Sequence, residues 1–461
     1  MNLIAGVDSS TQSTKVVVCD ADTGTVLREG RAPHPDGTVA DPEDWWRALT
    51  TASDGLLDDV AAIGIAAQQH GMVALDEHGL PVRPALLWND NRSAQAAIDL
   101  TEELGGAQAC AEAIGSALVA SFTASKLRWL AEHEPHLADR VTDVLLPHDW
   151  LTWRLTGEFV TDRGDASGTG YWSPREGRYR EDVLATAFGG RKPRTPRVLG
   201  PAEAAGHTRD GKLVSAGTGD NMGAALGLDV RPGDVVVSLG TSGTVFARAE
   251  RPSADPSGQI AGFADATGGF LPLVCTLNAA RVLTATAAML GVGMAEFDEL
   301  ARRAEPGAGG LALLPYLDGE RTPALPDAAG TLTGLRRDNM TPENLARAAV
   351  EGMLCGLAAG VDALRAEDIE VGRVLLIGGA AQSRAVQVVA PLIFGVPVTV
   401  PAPAEYVARG AARQAAWTLA GTPNPPEWQL SGATELDVTD PDAGARIRDQ
   451  HTNSFAQVHG T

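Results

Sequence analysis

Lysine is nearly missing from this chain. Lys15, Lys126, Lys192 and Lys212 are the only four in 461 residues, and none is followed by serine or threonine. The phosphate-cradling pattern GxxxxGK[ST] is therefore excluded. Cysteine is as scarce: Cys19, Cys110, Cys275 and Cys355 lie far apart with no CxxC spacing. Such isolated thiols read as buried core residues in a reducing compartment, not as a disulfide frame or a zinc site. HExxH and GxSxG are absent, and Gly217-Thr218-Gly219 lacks dinucleotide-fingerprint spacing. No apolar run approaches 18 residues and no basic-apolar-small leader opens the sequence, so a soluble, cytoplasmic protein is expected. Positive charge is short as well. With 37 Lys and Arg against 58 Asp and Glu, the net charge is −21. That argues against nucleic acid or an anionic membrane as a partner. A polyanionic substrate would need a local cationic or metal site.

What is present is glycine and hydroxyl, concentrated in two turns. DSSTQSTK (Asp8–Lys15) and SLGTSGT (Ser238–Thr244) each interrupt an alternating apolar run, one in either half of the chain. A strand, a turn of small hydroxylated residues and a returning strand make a hairpin that presents backbone N–H groups to an anion. Two of them suggest a duplicated architecture that holds phosphates between two lobes. The length itself calls for more than one domain, and RPGD at 231–234 makes a boundary, giving domains over 1–229 and 230–461. DPEDWWRALTTA (41–52) opens a helix with an Asp cap and a proline at the first position. VAAIGIAAQ (60–68) reads as a buried strand, and 93–160 as largely helical. VSAGTGDNMGAALGL (214–228) reads as strand, glycine turn and small-residue helix starting near Asp220. Residues 341–366 carry an apolar stripe at helical spacing. VGRVLLIGGA (371–380) is a buried strand running into a Gly-Gly turn, and VARGAARQAAW (407–417) an alanine-rich helix. The tail after 421 is rich in Pro, Asp and Gly and is expected to be only partly ordered. The whole is an α/β chain in two similar halves.

Carboxylates stand at the ends of predicted strands: Asp8, Asp90 and Asp220. Beside phosphate-cradling turns such a group can hold Mg²⁺ or accept a proton from an alcohol. The same placement also suits a turn or helix cap. Seven ordered segments narrow the choice: GVDSSTQSTK (6–15), SFTASKLRWLAEH (121–133), GTGDNMG (217–223), SLGTSG (238–243), LPYLDGERTP (314–323), GTLTGLRRDNMTPENLARAAVE (330–351) and LIGGAAQS (376–383). The set resembles the FGGY family of carbohydrate kinases over roughly residues 3–420, and most closely its xylulokinase branch.

The resemblance implies two actin-like ATPase (ribonuclease H-like) domains with an interdomain cleft, sugar mostly on the N-terminal domain and ATP mostly on the C-terminal one. It assigns Asp220 as the base that takes the proton of the sugar hydroxyl, kept ionised by a helix N-terminus with an ordinary pKa of about 4. Asp8, with Asp220, would stand on the Mg²⁺ side. Thr11, Ser13 and Lys15 would face the transferring phosphoryl group, although Ser10 replaces a glycine common in the family. Gly240, Thr241 and Ser242 would donate to phosphate oxygens. Gly378 and Gly379 would admit the nucleotide, with Ala380 (a glycine in many relatives) and Ser383 completing the set. Ala408, Gly410 and Ala411 suit either an adenine or close helix–sheet packing. Gln69, His70, Trp88, Asn89, Asp90 and Asn221 lie where xylulokinases contact sugar; Trp45, Trp46 and Trp88 suit either a sugar wall or the core. The implied reaction is phosphorylation of D-xylulose at its 5-hydroxyl, or of another ketose or polyol such as ribulose, fuculose or an alditol. A homodimer is implied too. A non-catalytic sugar sensor would be expected to lose Asp8, Asp220 and Thr241, and all three remain.

Overall fold

The computed structural model describes residues 2–430 and 432–460. Two compact units form. The first gathers Met1–Val230, Ala249–Pro272 and Ala404–Gln429; the second gathers Arg231–Arg248, Leu273–Pro403 and Leu430–Thr461.

The first unit is built on strands β1 (Leu3–Ser9), β2 (Ser13–Asp20), β3 (Val26–Pro33), β4 (Val60–Ala67), β5 (Ala204–His207) and β6 (Leu213–Ser215). They lie in the order β5-β6-β4-β1-β2-β3, and the short β7 (Thr218–Gly219) pairs with the end of β4. The first hairpin is real: β1 and β2 run antiparallel from Leu3↔Asp20 to Ser9↔Thr14. β1 runs parallel to β4, so Asp8 and the glutamines that follow β4 emerge at the same end of the sheet. In the second unit β8 (Asp234–Leu239) and β9 (Gly243–Ala247) form the second hairpin, closing at Leu239↔Gly243. They continue into β10 (Phe270–Thr276) on one side. On the other side lie β11 (Arg373–Ile377), β12 (Val398–Val400) and β13 (Thr434–Leu436). Each sheet is thus an antiparallel hairpin joined to parallel strands.

The helices that carry functional side chains follow in chain order. They are α1 (Pro42–Ala52), α2 (Thr123–His133), α3 (Pro147–Thr156), α4 (Arg163–Ser167) and α5 (Asp220–Gly227). Then come α6 (Ala280–Leu290), α7 (Met294–Arg303), α8 (Pro342–Ala366), α9 (Arg384–Phe394), α10 (Tyr406–Ala420) and α11 (Pro441–His459). The cap read at α1 is made: the Asp41 carboxylate accepts the Glu43 N–H at 3.0 Å. Trp45 is buried in the core and meets Trp150 edge-on at 6.3 Å. Trp46 packs against the same core beneath the Arg154 guanidinium. Both belong to the core of the first unit. The tail after 421 forms β13 and α11, whose Asp440 cap accepts the Ala443 N–H at 2.9 Å.

Helix α10 decides the ambiguity at Ala408, Gly410 and Ala411. All three are buried, and the helix lies against β1, β4 and α5 of its own unit. A Cβ on Gly410 would stand 1.8 Å from the Gly223 carbonyl, and one on Gly6 or Gly64 about 2 Å from the Ala408 or Ala411 carbonyl. Small residues here serve backbone-to-backbone packing, not an adenine.

Candidate active site

The β1–β2 turn, the end of β4 and the start of α5 bring the first unit's polar residues together. Asp8 ends β1, fully buried. Ser10 donates to it, and the Lys15 ammonium stands 3.5 Å away while bonding Glu405 at 2.6 Å. Burial pushes the Asp8 carboxyl up, against the pull of Lys15 and Ser10. Ser10 thus does more than fill a glycine position: its hydroxyl is a ligand of the carboxylate two residues earlier. Ser13 is buried in β2. Thr11 accepts the Trp88 indole N–H at 2.8 Å, tying the turn to the segment that carries Asn89 and Asp90.

Asp220 is the first residue of α5. Its carboxylate accepts the Asn221 N–H at 2.8 Å and the Asn221 side-chain amide at 2.9 Å. Asn221 also donates to Gln69 Oε1 at 3.2 Å. Among the described residues neither Gln68 Nε2 nor Gln69 Nε2 has a protein partner. Buried amide donors left in this condition are costly unless a ligand takes them. Asp220 as a residue is half-buried. Burial, followed by the charge of Asp8, raises its pKa to about 7. The expectation of an ordinary value near 4 is corrected: desolvation and a second carboxylate outweigh the helix N-terminus.

His70 adopts φ +67°, a left-handed backbone that a side-chain-bearing residue holds only when its surroundings dictate it. Its carbonyl accepts Lys126 Nζ at 2.7 Å and the Thr123 hydroxyl at 3.3 Å. Its Nδ1 donates to the Gly168 carbonyl at 2.7 Å, which fixes the ring's orientation. Lys126 is fully buried on α2, where desolvation lowers its pKa to about 7 against the attraction of Asp90. The SFTASKLRWLAEH segment therefore works through backbone geometry at His70. Asn89 donates weakly to the Gly37 carbonyl at 3.4 Å. Asp90 uses both carboxylate oxygens on Arg92 and one on Thr38. Burial notwithstanding, these bonds hold its carboxyl below the usual range, and the residue acts as an anchor of its loop.

The second unit contains a cavity of about 760 Å³ lined by Gly240, Thr241, Gly379, Ala380 and Ser383, with Leu283, Met294 and Asp298 among its other walls. The Gly240 carbonyl accepts the Ala280 N–H at 2.9 Å, so α6 begins on the second hairpin. Ser242 lies in that turn beside Thr241. The paired glycines divide the work. A Cβ on Gly378, at φ +93°, would stand 2.5 Å from the Leu239 carbonyl, whereas one on Gly379 would meet nothing within 4 Å. Gly378 packs β11 on β8, and Gly379 leaves the cavity open. Ser383 caps α9 through the Val386 N–H and donates to Asp298 at 2.5 Å, so its hydroxyl is already engaged.

Residues 3–227 match the N-terminal domain of the FGGY family of carbohydrate kinases, and residues 235–419 its C-terminal domain. The chain belongs to that family. It is 50% identical over 436 residues to the xylulose kinase of Streptomyces rubiginosus, covering 91% of this chain and 88% of the relative. It is 48% identical over 460 residues to that of Streptomyces coelicolor, covering 95% and 93%. The crystal structure of xylulose kinase from Bifidobacterium adolescentis superposes with a TM-score of 0.90 at 43% identity, over 98% of this chain and 99% of that one. The fold is the two-domain actin-like ATPase fold expected from the motifs, and the protein is a sugar kinase. Glu405, Gln68 and the buried groups of α3 and α4 were not singled out from sequence. Glu405 reaches Lys15 across 390 residues of chain, a pairing no local spacing encodes.

Proposed function

We propose that this kinase transfers the γ-phosphoryl group of ATP to the 5-hydroxyl of D-xylulose, with Asp220 as the general base. The observation that carries this is the Asp220–Asn221–Gln69 chain of hydrogen bonds, with orphaned amide donors beside it and a carboxyl poised near neutrality. The hydroxyl donates its hydrogen bond to the Asp220 carboxylate, which orients an oxygen lone pair toward the γ-phosphorus. As the new O–P bond forms and the bond to the β-phosphate oxygen breaks, the hydroxyl proton passes to Asp220 and ADP leaves. A phosphoryl transition state needs position and charge stabilisation more than covalent help, and a base with pKa near the working pH is well matched to accept a proton late. Gln69, His70 and Asn221, with Trp88 and Asn89 nearby, would hold the sugar hydroxyls. In the second unit Gly240, Thr241, Ser242, Gly379 and Ala380 would hold nucleotide phosphates; in the first, Thr11 and Lys15 would face a transferring phosphoryl group.

Asp8 and Asp220 fit Mg²⁺. The Asp8 charge raises the cost of charging Asp220, and a hard dication with oxygen preference relieves that. Asp8 would hold the ion through water, given how firmly Mg²⁺ keeps its hydration, and the ion would neutralise phosphate charge. The relatives support xylulose as acceptor, and the family supports a cytoplasmic homodimer. The test is a panel of D-xylulose, D-ribulose, L-fuculose, xylitol and glycerol in a coupled ADP-release assay. D-xylulose giving the highest kcat/KM is the expected result; another acceptor winning by tenfold would reassign the substrate.

A further inference from the structure

Below Asp220 lies a buried polar group that the reaction scheme does not use. His148, on α3, is fully buried. Its Nδ1 is 2.6 Å from an Asp165 carboxylate oxygen on α4, and its Nε2 is 3.3 Å from the Ala216 carbonyl. Both ring nitrogens face acceptors, so the ring must carry both protons, as an imidazolium. Desolvation opposes that charge, but Asp149, Asp165 and Asp162 hold its pKa up at about 10. His148, Asp162 and Asp165 have the composition of a metal site. However, the two Asp162 oxygens already accept the Gly164 and Asp165 N–H groups at 2.8 and 2.9 Å. The imidazolium is the cation of this cluster.

The ring also packs onto the glycine turn. A Cβ on Gly217, at φ +79°, would stand 2.4 Å from His148 Cδ2. The peptide groups of Gly217 are then taken from a second direction in the chain. Gln414, on α10 and fully buried, accepts the Gly217 N–H at 2.9 Å and donates to the Gly217 carbonyl at 3.0 Å. Ser215 donates to the same Gln414 oxygen at 3.1 Å. Three residues after Gly217 comes Asp220. The electrostatic link is direct as well, since the Asp220 charge acts on Asp165.

We infer that His148 and Gln414 are positioning residues: together they fix the Ala216–Gly217 backbone and thereby set the direction in which Asp220 meets the sugar hydroxyl. Neither touches the reacting atoms. This rests on Asp220 being the base. A buried side-chain amide on α10 whose both ends bond one glycine peptide is more than the packing of a small-residue helix requires.

A double-mutant cycle tests it, because a residue acting only through Asp220 has nothing left to lose once Asp220 is disabled. Gln414→Met keeps the bulk and removes both hydrogen bonds to Gly217 together with the one from Ser215. The expected result is a kcat at least 30-fold lower with KM for ATP within twofold of wild type. In an Asp220→Asn background, with ADP release followed over hours, the same change should cost less than twofold. His148→Gln, which retains an amide donor but no charge, should lower kcat in the same pattern and serves as the second arm should Gln414→Met not fold. An equal proportional loss in both backgrounds, a parallel rise in KM for ATP, or an unchanged kcat in Gln414→Met would overturn the inference. If Asp220→Asn alone keeps a tenth of wild-type kcat, it is the assignment of the base that fails, and the cycle separates the two results.

Discussion

At the scale of single residues, the site runs on carboxylates held where water would not hold them. Asp220 has a pKa raised from 3.8 to about 7 in the fold. The folded state therefore binds this proton more tightly than the unfolded chain, and stability from this group is lost as pH rises through about 7. Asp220→Asn is expected to raise the melting temperature of the ligand-free protein at pH 8 and to raise it much less at pH 5. An equal gain at both values would contradict the shift. The same carboxyl must be ionised to act as a base, so kcat/KM for the sugar should fall about tenfold per unit below pH 7. Lys126 supplies another residue-level expectation. Lys126→Met removes the donor to the His70 carbonyl, and KM for the sugar should rise at least tenfold while KM for ATP stays put, as steady-state kinetics would show. Of these residues Asp8 and Asp220 were legible as carboxylates ending predicted strands beside small-residue turns, whereas Gln69 and His70 were reached only through the family resemblance. Lys126 was legible as a motif member without its task. Its work is done on a backbone carbonyl 56 residues away, and no side-chain pattern announces that.

At the scale of elements, both hairpins and the long helix α8 were readable from period and turn chemistry, and both hairpins form antiparallel pairs. What the pattern could not settle was what an alanine- and glycine-rich helix is for. A stripe of small residues looks the same whether a base or a backbone approaches it. The structure places Gly410 with its Cα face against Gly223, and the answer is packing. Gly410→Ala should accordingly destabilise the protein by about 3 kcal/mol, because a backbone carbonyl must move to admit the methyl group. Gly356, inside α8, has open space where its Cβ would be. Gly356→Ala should stabilise by about 0.5–1 kcal/mol through propensity alone. Urea titrations of the two variants would check the opposite signs; a shift in the same direction for both would contradict the packing account.

At the scale of the whole molecule, a net charge of −21 surrounds a reaction between a neutral sugar and a polyanion. Long-range repulsion slows the approach of the nucleotide and leaves the sugar indifferent, and salt screens it over about 10 Å at 0.1 M. Raising ionic strength from low values to about 0.15 M should therefore raise kcat/KM for ATP and leave kcat/KM for D-xylulose nearly flat. A fall in the ATP value would mean that local cations such as Lys15 dominate the encounter. Catalysis rests, in the end, on one oxygen pair, the Asp220 carboxylate. Its most direct test is kcat for D-xylulose phosphorylation by Asp220→Asn, measured alongside the sugar's Kd by calorimetry. A kcat lower by roughly 10³-fold or more, with the sugar still bound within about tenfold of wild type, is the predicted result. A variant that keeps a tenth of wild-type kcat would contradict it.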